Sequence, residues 1–217
     1  MPKETFFNLS EEKQEKVIRS AISEFMKHGF EKANVGNIAK NAGVAKGSMY
    51  QYFENKKELF IYSVHWTVGV FINKNSKEII NGNISIFDYF YQSSGMVLQQ
   101  IREERELTVF MQDVFLGKYH DLVDESIKAM LDASNDMLMA LIREGKKNGS
   151  IRKDINDKTL SLFLVGASMK IKENMLSRIR DAGADIADAN VEMYMEDIRD
   201  MMELLKNGMG EKTCLST

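Results

Sequence analysis

The chain has 217 residues, with 29 Lys plus Arg against 32 Asp plus Glu, 44% apolar residues and 28% charged ones. That make-up belongs to a globular protein with a buried core and excludes a disordered, collagen-like or low-complexity chain. Pro2 is the only proline and Cys214 the only cysteine, so helices run uninterrupted downstream, while an internal disulfide or a cysteine-built metal cluster is ruled out.

In chain order the punctuation is helical throughout. Ser10 is an N-cap, and Val17, Ile18, Ala21, Ile22, Phe25 and Met26 form one apolar stripe. Gly29 stands where a C-terminal cap residue belongs, with Phe30 placed to fold back on Phe25. Asn34 caps a short helix, Val35 to Ala42, which Gly43 stops. After a turn of about three residues, Ala42-Gly43-Val44, a second short helix runs from Ala45 or Lys46 to Phe53. Asn55 then caps a long helix, with Glu58 completing a capping box, that runs from Glu58 to about Ile80.

Further helices follow at Ile84 to about Arg102, Arg105 to about Leu116, His120 to about Lys147, Asn156 to about Asp181 and Asn190 to Lys206. The expectation is an all-α protein of about nine helices. Its parts are an N-terminal three-helix head over 1–57, with a helix-turn-helix at about 34–53, a helical body over 58–206 and a flexible tail over 207–217. Met1 to Leu9 lacks the apolar core of a secretory signal, and the longest apolar run, Leu160 to Met169, is too short for a membrane span. A cytoplasmic protein without a membrane partner is expected.

Two short helices joined by a tight glycine-bearing turn suit the major groove of duplex DNA, the second helix reading it. At 100° steps Met49 and Phe53 turn inward, whereas Gly47, Ser48 and Gln51 face out, flanked by Lys46, Tyr50 and Tyr52. Gly47 lets the helix start approach the DNA backbone, Gln51 can pair bidentately with adenine, and Lys46 can donate to guanine. Hydroxyls of Ser48, Tyr50 and Tyr52 can donate to phosphates, as can Lys56 and Asn34 at their helix starts. Charge agrees in sign: residues 1–60 hold ten Lys/Arg and eight Asp/Glu, the remainder 19 and 24.

The run Gly29-Phe30, Val35, Ile38-Ala39, Ala42-Gly43-Val44, Lys46-Gly47-Ser48-Met49-Tyr50, Tyr52-Phe53, Lys56 and Leu59 resembles the N-terminal domain of the TetR family of bacterial transcriptional regulators. The resemblance covers residues 10–60. It implies a homodimer whose two heads bind a palindromic operator, usually as a repressor, and a body that binds an inducer and pairs subunits through its last two long helices. Three positions depart from the family pattern: Ala33 and Ala45 replace hydroxyl residues near the short-helix starts, and Gly36 stands where a longer, often basic, side chain is common.

The body offers a surface for pairing. Tyr194, Met195, Ile198, Met201, Met202 and Leu205 form a stripe with Val191, and the preceding helix is apolar nearly all round, with Leu162, Gly166 and Met169 as contact candidates. Soft residues fill the region before it, so a small apolar or amphipathic effector would meet Trp66, Phe110, Met111, Phe115 and Tyr119, with His120 as a polar contact. No cofactor or metal site is expected. The three histidines lie far apart and no nucleotide-binding or nucleophile motif occurs, so the chain reads as a regulator and not an enzyme. The competing reading is a DNA-binding helical regulator with a filled body, controlled by a protein partner.

Overall fold

A computed structural model describes residues 1–79, 85–95, 103–181, 183 and 191–209. Among these residues there are ten α-helices, one 3-10 turn and no β-strand. The helices are α1 Glu4–Phe7, α2 Glu11–Lys32, α3 Val35–Ala42, α4 Lys46–Tyr52, α5 Lys56–Ile79, α6 Ile86–Gly95, α7 Arg105–Phe115, α8 Val123–Asn148, α9 Asp157–Asp181 and α10 Val191–Met209. The 3-10 turn, His120–Leu122, leads directly into α8. The sequence reading missed α1, whose four residues are too few to show a period. It also placed the tail three residues early, since α10 continues to Met209. The expected stop at Asn81-Gly82-Asn83, the second half of the helix begun at Ile84, and residues 210–217 lie outside the described residues.

The chain forms two compact units. One comprises Met1–Val70 with Glu106–Ala133, and the other Phe71–Arg105 with the chain from Ser134 onward. The first therefore takes in α7 and the start of α8 along with the head.

In the first unit, local chemistry sets most of the helix boundaries. The Ser10 hydroxyl accepts from Lys13 N at 3.4 Å, and Glu11 and Glu12 place negative charge at the positive end of α2. Gly29 breaks the helical conformation inside α2 with φ +70°, and Phe30 stacks on Phe25 with ring centroids 6.0 Å apart. Gly43 closes α3 in the left-handed region (φ 71°, ψ 32°), its amide and that of Val44 returning to the carbonyls of Lys40 and Ala39. The turn is thus Gly43-Val44-Ala45, one residue later than expected, because Ala42 completes α3.

Asn55 caps α5 by accepting from Glu58 N at 2.8 Å, but the return bond is displaced: Glu58 Oε2 accepts from Glu54 N at 2.7 Å, one residue before the usual box. Burial alone would raise the Glu58 pKa. Hydrogen bonds from the Met1 ammonium and Glu54 N, with the charges of Met1 and Lys3, outweigh it and hold the carboxyl below its ordinary range.

The apolar face of α2 (Val17, Ile18, Ala21, Ile22 and Phe25) is wholly buried. From it a chain of rings runs inward, with Phe25 edge-on to Phe60 at 5.1 Å, and Phe60 at 5.7 Å from Phe110 and 4.8 Å from Tyr119.

The second unit is built around Ile86, Phe87, Tyr89, Phe90, Leu138, Leu141, Ile142, Ile151, Leu160 and Leu164, together with Tyr194, Ile198, Met201, Met202 and Leu205 of α10. Gly145 is required there, since a Cβ at that position would lie 2.6 Å from Ile151 Cδ1, and Ile151 N donates to the Gly145 carbonyl. Gly149 ends α8 with φ +81°, at the Asn148-Gly149-Ser150 stop read from the sequence. Asn156 caps α9 through Lys158 N at 2.8 Å. Among the described residues no helix is long and apolar enough to cross a membrane.

Candidate nucleic-acid interface

The head is α2, α3 and α4. Met49 and Phe53 are each 2% exposed and anchor α4, while Lys46, Gly47, Tyr50 and Gln51 are exposed and Ser48 and Tyr52 half-buried. The outward residues named from helical geometry thus lie on one polar surface, apart from Tyr52, whose ring meets Phe6 of α1 edge-on at 6.0 Å. A Cβ on Gly47 would meet nothing within 4 Å, so the first turn of α4 is open.

The starts of α3 and α4 converge. A Cβ on Gly36 would lie 3.0 Å from Asn34 Oδ1 and 3.6 Å from Lys46 Cδ. Asn34 Oδ1 accepts from Gly36 N at 2.7 Å, so glycine leaves that cap room that a longer residue would take. Ala45 supplies no side-chain cap to α4, in keeping with the departure noted from the sequence.

The pattern passed over Glu24. Its carboxylate is buried and accepts from Asn34 N at 2.9 Å and from Asn37 Nδ2 at 3.2 Å, tying the body of α2 to the first turn of α3. The available signal was a carboxylate three residues after Ala21 and seven after Val17, on the stripe that otherwise holds only core residues. Lys56, expected at a phosphate, is engaged within the chain. Its ammonium donates to the carbonyls of Glu31 (2.9 Å) and Ala33 (3.4 Å) and stands 4.8 Å from the Phe30 ring centroid. It joins the end of α2 to the start of α5.

Of the residues expected to meet an effector, Phe110, Met111 and Tyr119 are buried, and Phe110 and Tyr119 share Phe60 as a neighbour. Trp66 and Phe115 are half-buried, the Arg19 guanidinium lying over the Trp66 ring at 5.5 Å. His120 is exposed, 3.3 Å from Asp121, and does not join the others. The hydroxyls of Tyr119 and Ser126 are buried, and no described residue offers either a hydrogen bond. Burial, with Asp113 nearby, pushes the Tyr119 pKa well above that of a free phenol.

The stripe expected to pair subunits is corrected in part. Tyr194, Ile198, Met201, Met202 and Leu205 are buried within the chain's own core, because α6 and α9 pack on that face of α10. Met195 and Met169 are half-buried, Leu162 and Gly166 exposed. The exposed large apolar residues of α9 and α10 are Leu162, Phe163 and Leu204.

Residues 17–62 match the family model of bacterial regulatory proteins, tetR family. Over 63 residues the chain is 35% identical to the fatty acid metabolism regulator protein of Bacillus subtilis, covering 29% of this chain and 32% of that one. It is 33% identical over 63 residues to the HTH-type transcriptional regulator YerO of the same organism, covering 29% and 22%. These matches therefore span a third or less of each relative's length. The fold agrees with that of the transcriptional regulator FadR from Bacillus subtilis, solved in complex with stearoyl-CoA, at TM-score 0.60 and 19% identity over 89% of this chain and 98% of that one. The capped, glycine-turned head is thus similar, over residues 17–62, to bacterial regulatory proteins of the tetR family, and the all-helical fold of the chain agrees with that of FadR.

Proposed function

We propose that this protein is a homodimeric repressor that binds a palindromic operator through two copies of α4 and leaves it when a small apolar or amphipathic ligand occupies the body. The observation that carries the DNA half is the division of α4 into an inner face, Met49 and Phe53, and an open outer one formed by Lys46, Gly47, Tyr50 and Gln51, with Ser48 at its edge and Asn34 at the converging start of α3. One such helix makes few base contacts, and two-fold pairing doubles them at a spacing of about one helical turn.

The ligand half rests on the buried hydroxyls of Tyr119 and Ser126, which meet no hydrogen-bond partner among the described residues of a largely apolar core. Buried polar groups are ordinarily satisfied, so a ligand head group or a bound water is their natural complement. Coupling follows from continuity: α5 begins beside the reading helix and carries Phe60, which touches both Phe110 and Tyr119. A ligand that moves these rings shifts α5 and weakens DNA binding, and DNA weakens ligand binding by the same factor. The closed ring contacts also favour a second reading, a filled body answering to a protein partner.

The deciding experiment selects duplexes from a random pool with the full-length protein, then titrates long-chain acyl-CoA, beginning with stearoyl-CoA, against the best duplex. Selection of palindromic sites at two chains per duplex, with release on titration, supports the proposal. Failure to enrich any sequence would refute the DNA reading, and operator affinity indifferent to every ligand that binds would leave the partner-controlled reading in its place.

A further inference from the structure

We infer that the N-terminal segment Met1–Phe7 belongs to the DNA-reading unit, closing the C-terminal end of α4 and fixing the helix that presents Gln51, with Lys3 and Thr5 as positioning residues. The inference rests on α4 being the reading helix.

At seven residues α4 is far below the length at which a helix is stable alone, and the last four carbonyls of any helix lack partners within it. Only the Met49 carbonyl is met locally, by Phe53 N at 2.9 Å. Phe53 itself is extended (φ −129°, ψ 142°), so no left-handed cap closes the end. The remaining three carbonyls are each taken by the N-terminal segment. Lys3 Nζ donates to Tyr50 O at 2.9 Å, the Thr5 hydroxyl donates to Gln51 O, and Lys3 N donates to Tyr52 O at 2.8 Å. The Lys3 ammonium also places positive charge at the negative end of the helix.

Phe6 fixes the segment in place. Its side chain is fully buried, with ring centroids 5.0 Å from Phe53, 6.0 Å from Tyr52 and 5.5 Å from Tyr62. The three carbonyls so held belong to Tyr50, Gln51 and Tyr52, whose side chains form the C-terminal half of the proposed reading face. Loosening the segment therefore frays α4 from the end that carries Gln51.

The test compares full-length Thr5→Val, Thr5→Ser and Lys3→Met with the parent, following amide exchange in α4 and affinity for the selected duplex across salt concentrations. Loss of one net hydrogen bond corresponds to a factor of about 2 to 12. Thr5→Val is therefore expected to speed exchange at Tyr50 to Phe53 and to weaken the duplex by about three- to tenfold. Thr5→Ser, which keeps the hydroxyl, should restore both. The slope of affinity against salt should stay unchanged in both Thr5→Val and Lys3→Met, since no phosphate contact is lost. Parental exchange and affinity in Thr5→Val and Lys3→Met would overturn the inference. A salt slope reduced by about one in Lys3→Met would overturn it for Lys3, marking that residue as a direct phosphate contact. If the parent enriches no duplex, the reading-helix assignment fails separately, and exchange alone decides whether the segment closes α4.

Discussion

Lys56 shows how a residue chosen for its charge can be held by its surroundings. Its ammonium has two of its three protons directed at the carbonyls of Glu31 and Ala33 and lies over Phe30. Lys56→Met keeps the stem and removes those bonds, so it should destabilise the head by about 1–2 kcal/mol while changing the salt slope of DNA binding by less than one. Thermal unfolding together with duplex titrations at several salt concentrations checks both. Gln51 is different, since its side chain is exposed and its backbone carbonyl is the part the chain holds. Gln51→Ala should relax base choice at one operator position by about 1–3 kcal/mol, read by repeating the duplex selection.

His65, stacked on Tyr62 at 5.9 Å, adds a pH dependence. Burial lowers its pKa and the Asp132 carboxylate offsets this only in part. With the folded value below the unfolded one near 6.5, its contribution is complete above that pH and is lost as pH falls through the folded value. Denaturant midpoints should drop between pH 7.5 and 5, and less so in His65→Gln. Outward-facing residues were legible from a 100° projection. Lys56 and Glu24 were not, because both act on partners remote in sequence, chiefly backbone groups, which leave no mark in a side-chain pattern.

At the scale of the element, two glycines sit two residues either side of Ala45, the last residue of the α3–α4 turn, and should respond oppositely to the same change. Gly43 has φ +71°, with only Lys16 Nζ near a Cβ, at 3.9 Å, so Gly43→Ala meets backbone strain and little crowding. It should cost about 1–2 kcal/mol of stability. Gly47 is inside α4 with open space where a Cβ would go, and Gly47→Ala should stabilise the isolated protein by about 0.5–1 kcal/mol. If the α4 start approaches a phosphate backbone, that same methyl weakens DNA binding. Calorimetry and duplex titration on one sample separate the two effects, and an alanine variant that is more stable and binds DNA as well as the parent would remove close approach from the proposal. Most helix boundaries were legible because caps and stops are local chemistry: Ser10, Asn34, Gly43, Asn55, Gly149 and Asn156 all act within a few residues of themselves. The clamp of α1 on α4 was not, since it joins Lys3 and Thr5 to carbonyls more than forty residues away.

For the whole molecule, the pairing surface is where pattern and structure part. A helical stripe in sequence states that a face is buried but not by whom, and the stripe of α10 is covered by α6 and α9 of its own chain. What stays uncovered on α9 is Leu162 and Phe163, each 58% exposed, with exposed Gly166 one turn on. On the proposed homodimer, these adjacent large apolar side chains, beside a glycine that permits close helix approach, are the residues a second α9 would meet in a two-fold arrangement. Leu162→Lys with Phe163→Lys places four like charges at that contact in a dimer, yet touches none of the buried residues of either unit. The double variant should remain helical with an unchanged chain-level unfolding profile at high dilution, sediment as a single chain, and bind a selected palindrome with about half the parental salt slope, because only one head's phosphates are engaged. Sedimentation as a dimer with parental operator affinity would move the interface elsewhere on the chain and leave the two exposed side chains of α9 without a role in pairing.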